Sequence, residues 1–129
     1  MANLSTGIKA DSNLMNLKTM DVGAVKPELA ELFVADEQII CAFKTIRDQV
    51  VFTNKRVFVV NVQGLTGKKT SYLSYPYSKV QYFGIETAGL LDIDSELTLH
   101  FSNGGALQLD FKDNVDIRRI SQAIASFIL

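Results

Sequence analysis

Cysteine, histidine and proline are scarce in this 129-residue chain, which has one Cys, one His and two Pro. A lone cysteine, Cys41, cannot close an intrachain disulfide, so covalent stapling has no part in the fold and a reducing compartment is expected. It falls between apolar residues and reads as an inert buried thiol. The single histidine, His100, has no Ser or Cys nucleophile in a recognisable arrangement with it, which leaves the surface or an interface as its default place. No apolar run approaches the ~20 residues of a membrane span, and residues 1–11 lack a basic start followed by an apolar core. A soluble, cytoplasmic protein is the expectation. Charge of one sign is not in excess either, since 13 Lys+Arg against 14 Asp+Glu give a formal net charge of -1. That balance removes the usual electrostatic case for nucleic acid and weakens the case for an anionic membrane.

What is present is a packed, β-rich composition: 47% hydrophobic and 21% charged residues, with no low-complexity linker and no repeat, as one globular domain requires. The chain is organised around residues 47–69. Two Val- and Phe-rich runs, 49–52 and 57–62, flank Thr53-Asn54-Lys55-Arg56, a polar break whose Asn tolerates a left-handed backbone, so the stretch predicts a tight antiparallel hairpin. Both faces of that hairpin are apolar, which calls for cover from a second sheet or a neighbouring subunit. A glycine-containing turn at 63–67 leads into a further strand, 69–73, ended near Tyr75-Pro76-Tyr77. Upstream, residues 38–45 alternate as a first strand. Downstream, residues 80–87, 96–101 and 106–111 alternate likewise, the last two joined by Asn103-Gly104-Gly105.

The ends of the chain read as helical. Leu14, Leu17 and Met20 stand at helical spacing after an Asp11-Ser12-Asn13 start, and Pro27 opens a short helix to about Phe33. Residues 1–33 thus form an N-terminal extension with short helices, and residues 34–129 a domain. At the other end Asp113 or Asn114 caps a helix in which Ile117, Ile120, Ile124, Phe127 and Ile128 recur at three- and four-residue steps, with Arg118, Arg119, Gln122 and Ser126 outward.

Motifs with chemical content are few. The run G-L-T-G-K-K-T at 64–70 is not a phosphate loop, because two residues, not four, separate its glycines and a strand follows its lysines. Asp92, Asp94 and Glu96 make an alternating acidic comb that could face a hard cation. Too few oxygen ligands accompany it, and it reads as a solvated or subunit-facing edge that deters strand pairing. No catalytic, cofactor or metal residue is assigned. Arg47 and Asp48 form an adjacent opposite-charge pair at a strand start. They either reach a neighbouring molecule, the Arg fork suiting a carboxylate such as Glu86, or fix the turn within one subunit.

Several runs in fixed order carry a family resemblance: Lys44-Thr45-Ile46-Arg47-Asp48, Phe52-Thr53-Asn54-Lys55-Arg56, the 63–69 turn, Tyr75-Pro76-Tyr77, Glu86-Thr87-Ala88-Gly89 and residues 92–97. The chain from residue 34 onward resembles the bacterial pleckstrin-homology-like family formerly carried as a domain of unknown function. That resemblance implies a mainly β (α+β) fold. About seven antiparallel strands would form a barrel or sandwich of two near-orthogonal sheets, capped by the C-terminal helix. It implies no known catalysis, and assembly of the chain with itself into a cyclic homo-oligomer that meets an unidentified protein partner. Arg47, Asp48, Phe58, Tyr72, Tyr82, Phe83 and Glu86 are the candidate interface residues. Asn61 departs from the family pattern, which often has Asp there. Pleckstrin-homology domains that bind phosphoinositides cluster basic residues at their first hairpin, so Lys55, Arg56, Lys68 and Lys69 are candidate contacts for an anionic lipid headgroup. Their two pairs sit at opposite ends of one strand, ~20 Å apart, and cannot share a headgroup.

Overall fold

Alternating β-branched and aromatic residues set the architecture. In the computed structural model, which describes residues 11–64, 69–87, 94–112, 115 and 117–129, strands account for most of the described chain. They are β1 (Asp11–Met20), β2 (Ile39–Lys44), β3 (Gln49–Thr53), β4 (Arg56–Gln63), β5 (Lys69–Pro76), β6 (Val80–Thr87), β7 (Ser95–Phe101) and β8 (Ala106–Phe111). Short 3-10 turns occupy Val22–Ala24, Pro27–Leu32 and Tyr77–Lys79, and helix α1 spans Ile117–Ile128. The strands lie in the order β5-β4-β3-β2-β1-β8-β7-β6 in one eight-stranded sheet. Strands β2 to β8 are those the alternation predicts. Two sets, β2–β5 and β6–β8, are joined by β1, antiparallel to β2 and parallel to β8.

β1 corrects the helical reading of Leu14, Leu17 and Met20. In an unbroken strand, residues three apart face opposite ways. Here the pairing with β8 shifts between Leu14 and Leu17, and Asn16 takes φ +61, a bulge that resets the parity. Leu14 and Leu17 therefore face one core, and Met20 packs against the other. A bulged strand mimics helical spacing. The short helix opened by Pro27 forms as a 3-10 segment with proline in its first turn.

The two cores lie on opposite faces of the central strands. The larger gathers Phe43, Val50, Phe52, Val57 and Val59 with Leu97, Leu99, Leu107, Leu109 and Phe111 from β7 and β8. Helix α1 closes it with Ile120 and Ile124, both buried, while Arg118, Arg119, Gln122 and Ser126 face outward, as their spacing predicts. The cap expected at Asp113 or Asn114 lies outside the described residues, as do residues 65–68 of the turn after β4. The smaller core holds Ala42, Val51, Phe58 and Val60 under Val25 and Leu29, with Phe33 packed against it. The second apolar face is thus covered by the chain's own segment 22–33.

A bulge explains an apparent exception in β2. Its pairing with β3 shifts between Ile39 and Cys41, so Ile39 joins the smaller core although Cys41 and Phe43 belong to the larger. Truncating the side chain at the centre of the covering segment, Leu29→Ala (0% exposed), is expected to cost about 2–4 kcal/mol in chemical denaturation, with the far-ultraviolet strand signal retained.

Candidate functional site

The polar groups of the hairpin β3–β4 are committed first. Thr53, fully buried, accepts the N–H groups of Lys55 and Arg56 on its hydroxyl oxygen, both at 3.0 Å, and donates to Glu37 Oε2 at 2.7 Å. This hydroxyl makes the turn. The left-handed Asn54 expected from the sequence is not used, since the non-glycine residues with positive φ among those described are Asn16 and Asp36. Asn54 instead clasps the preceding segment, its side chain bonding Gln38 N–H (2.9 Å) and the Asp36 carbonyl (3.0 Å).

Arg56 closes the clasp. Its Nε and Nη2 each donate to Glu37 at 2.8 Å, Nη2 also reaches the Leu32 carbonyl at 2.8 Å, and the guanidinium lies 4.3 Å from the Phe58 ring centre. The Glu37 carboxyl is pulled upward by burial. The Arg56 fork, the Val34 N–H, the Thr53 hydroxyl and the Arg56 charge outweigh that pull and hold it below its ordinary value. Arg56 is therefore a structural cation inside the chain, and is removed from the candidate headgroup contacts. Lys55 remains half-buried beside it, Lys69 is exposed at the far end of the β4–β5 ladder, and Lys68 lies outside the described residues.

A basic groove of about 780 Å³ forms elsewhere, at the β2–β3 turn. Lys18 of β1 and Lys44 of β2 are direct cross-strand partners, and Arg47 and Ile46 complete the wall. The turn is fixed by the Thr45 N–H to the Asp48 carbonyl (2.9 Å) and the Asp48 N–H to Thr45 Oγ1 (3.0 Å). Its tip is Ile46, fully exposed, followed by exposed Arg47, one arm of which donates to the Gly64 carbonyl. Asp48 turns inward: Oδ1 accepts the Val62 N–H at 3.0 Å and Oδ2 the Asn61 amide at 3.2 Å, continuing the ladder beyond the end of β3. Asp48 thus fixes a turn within the chain, and Arg47 alone of the pair points its charge outward. Asn61 suits this contact better than Asp, which would set two carboxylates together.

On the outward face of β6–β8 the strand register builds a second charged surface. Glu86 stands opposite Glu96, and Glu96 opposite Asp110. Three carboxylates form one row. Burial, the hydrogen bond and charge of Asp110, and the charge of Glu86 push the Glu96 carboxyl upward. Gln108 relieves part of the repulsion, bonding Glu96 at 3.0 Å and Asp110 at 3.3 Å. The groove beside this row encloses about 400 Å³ and includes Lys112, paired with Asp94 at 3.3 Å. Asp92 of the acidic comb lies outside the described residues, and among those described no group of three or more His, Cys, Asp and Glu is placed to share a metal ion.

The remaining candidates separate by exposure. Phe58 is 1% exposed and stacks on Phe33 at 5.8 Å, which commits it to this chain's own core. Tyr72 and Phe83 are half-buried against the smaller and larger cores respectively. Tyr82 is 61% exposed and lies parallel to the His100 ring at 4.2 Å. Cys41 is half-buried against the larger core, and not fully buried as its apolar neighbours predict; burial still pushes its thiol up to about 12, against a smaller pull from the Arg119 charge, as suits an unreactive thiol. Sequence reasoning missed Lys18, read as part of a helix, and Asp110, whose place in the row depends on register.

An eight-stranded sheet curled around one core and stoppered by a C-terminal helix defines a pleckstrin-homology-like fold. The chain belongs to the bacterial PH domain family, whose profile matches residues 9–128. The uncharacterized protein YjqA of Bacillus subtilis (strain 168) is 41% identical over 118 residues, covering 90% of this chain and 94% of that protein. A DUF1696 family protein with a pleckstrin-homology domain from Shewanella loihica PV-4, known by crystal structure, superposes with a TM-score of 0.74 at 39% identity, covering 89% of this chain and 99% of its own. The pleckstrin homology domain from Shewanella amazonensis SB2B gives 0.61 at 39% identity, covering 85% and 90%.

Two stability effects of opposite sign are expected. Glu37→Gln leaves the Arg56 charge uncompensated and should cost about 2–4 kcal/mol in urea denaturation. Because the folded-state Glu37 value lies below the ordinary 4.5, its contribution is complete above that pH and is lost as pH falls through the lower folded value. The acid limb of the stability profile should therefore flatten in the variant. Glu96→Gln removes a like-charge contact and should raise the thermal midpoint of the monomeric chain at neutral pH by ~2 °C in calorimetry.

Proposed function

We propose that this chain is a cytoplasmic, non-enzymatic protein–protein interaction module that assembles with itself into a closed ring, which then presents a polar rim to an unidentified protein partner. The observation that carries the reading is that one chain bears two separate grooves of opposite charge, Lys18, Lys44 and Arg47 in one and Glu86, Glu96 and Asp110 in the other. Each copy offers what another copy needs. Contacts between unlike surfaces propagate, and a ring is the arrangement that satisfies all of them without forming a fibre. Charged grooves steer association and fix its register, and the exposed Tyr82 supplies apolar contact area between them. Membership of the bacterial PH family supports an interaction role.

Light scattering with absolute mass determination tests this. The expected result is a discrete multiple of the chain mass that shifts toward monomer as salt rises from about 0.05 to about 0.5 M. A monomer at every concentration and salt overturns it.

A second reading rests on Ile46. A fully exposed isoleucine flanked by Lys44 and Arg47 is also how a peripheral protein meets an anionic lipid surface, its apolar tip entering the headgroup layer and its cations pairing with phosphate. This moves the lipid reading from Lys55, Arg56, Lys68 and Lys69 to the β2–β3 turn. Sedimentation with phosphatidylserine-containing vesicles at low salt supports it if the chain is pulled down and Arg47→Glu is not. Indifference to such vesicles overturns it.

A further inference from the structure

Gly84 has no structural reason to be glycine. It lies mid-way along β6, an outer strand of the sheet; its φ is not in the left-handed region, and a Cβ built on it meets nothing within 4 Å. Glycine weakens a strand interior and is found there at bulges, at bends and where another backbone or ligand comes close; the bulge of β6 falls earlier, between Val80 and Tyr82. The neighbouring row is costly as well, because Glu86, Glu96 and Asp110 are directly opposed like charges. Two local departures from stability thus adjoin on one face.

Register fixes what surrounds Gly84. Along β6 the outward positions are Tyr82, Gly84 and Glu86, opposed on β7 by His100, Thr98 and Glu96. The result is a trough with an aromatic wall at one end, the Tyr82–His100 stack, a floor at Gly84 and Thr98, and carboxylates at the other end. Successive outward residues are ~7 Å apart, so wall and carboxylates stand ~13 Å from each other. An occupant needs an apolar group next to a cation, carried on a narrow, stiff projection.

The chain itself carries such a projection. The β2–β3 tip is held by the two Thr45–Asp48 hydrogen bonds, so little ordering is needed on binding, and it presents Ile46 (101% exposed) immediately before Arg47. Resting on the self-assembly reading above, we propose that the trough around Gly84 receives the β2–β3 tip of a second copy. Ile46 lies against the Tyr82–His100 stack and over Gly84, and the Arg47 fork spans Glu86 and Glu96. The guanidinium has five N–H donors, so one can remain on the Gly64 carbonyl while others pair with carboxylates. Pairing also relieves the repulsion that the row imposes on the isolated chain.

Equilibrium sedimentation of the full chain tests the contact with variants whose folding is checked by thermal midpoint. Gly84→Val fills the trough where nothing in the chain is displaced. It should leave the midpoint of the dissociated chain unchanged or higher while weakening self-association about tenfold or more. Arg47→Glu and Glu96→Lys should each weaken it, and the double variant should regain a large part of the loss. Oligomers that persist in Gly84→Val and Arg47→Glu as in the unaltered chain overturn this contact and leave the self-assembly reading standing. An unaltered chain that is monomeric overturns both. A monomer that binds an Ile-Arg-containing probe peptide, and loses it in Gly84→Val, assigns the trough to a foreign basic segment and overturns the second copy as occupant.

Discussion

The central strands are apolar on both faces, and this constraint governs the rest of the molecule. Val50, Phe52, Val57 and Val59 point one way while Val51, Phe58 and Val60 point the other, all at 1% exposure or less. A sheet with two greasy faces must be covered twice, at roughly 25 cal/mol for each Å² of apolar surface withdrawn from water. Curling the sheet so that β7, β8 and helix α1 close over the first face meets one need. Folding residues 22–33 back over the second meets the other.

The second cover is thin, and polar chemistry holds it in place. Leu29 and Val25 are its buried residues, too few to anchor a 3-10 segment by burial alone. The Glu37–Arg56 pair with Thr53, the Asn54 bonds to Asp36 and Gln38, and the Arg56 bond to the Leu32 carbonyl tie that segment to the tip of the hairpin it covers. Tyr77 adds a bond of 2.6 Å from its hydroxyl to the Thr53 carbonyl. Its burial above all, with the nearby Glu37 carboxylate, pushes that hydroxyl well above its ordinary value, so it stays a donor. Hydrogen bonds set the geometry that a small apolar area cannot.

Charge is divided between these structural ties and the surface. Arg56 and Asp48 are spent inside the chain, one on Glu37 and the other on β4. Lys18, Lys44 and Arg47 on one groove, and Glu86, Glu96 and Asp110 on the other, are left facing outward in like-charge company. Such company lowers the stability of an isolated chain and suits surfaces whose complement lies on another molecule.

Seven strands, their order along the chain and the helix that stoppers them were legible in the sequence. Period-two alternation and the three-and-four-residue steps of Ile117, Ile120 and Ile124 report the local backbone directly. The family runs around Thr45, Thr53 and Pro76 were legible for the same reason, being fixed by local turn chemistry. The bulged strand β1 was not, because a parity reset at Asn16 gives Leu14 and Leu17 the spacing of a helix. Neither was the fate of individual charges. Lys55 and Arg56 are neighbours in sequence, yet Arg56 alone meets Glu37, nineteen positions away. The acidic row joins residues 86, 96 and 110 through a register that no short window contains. Local pattern determined which segments are strands and helix; only the tertiary structure decided which side chains are consumed within the chain and which are left facing outward, because burial and pairing are properties of contacts between segments far apart in sequence.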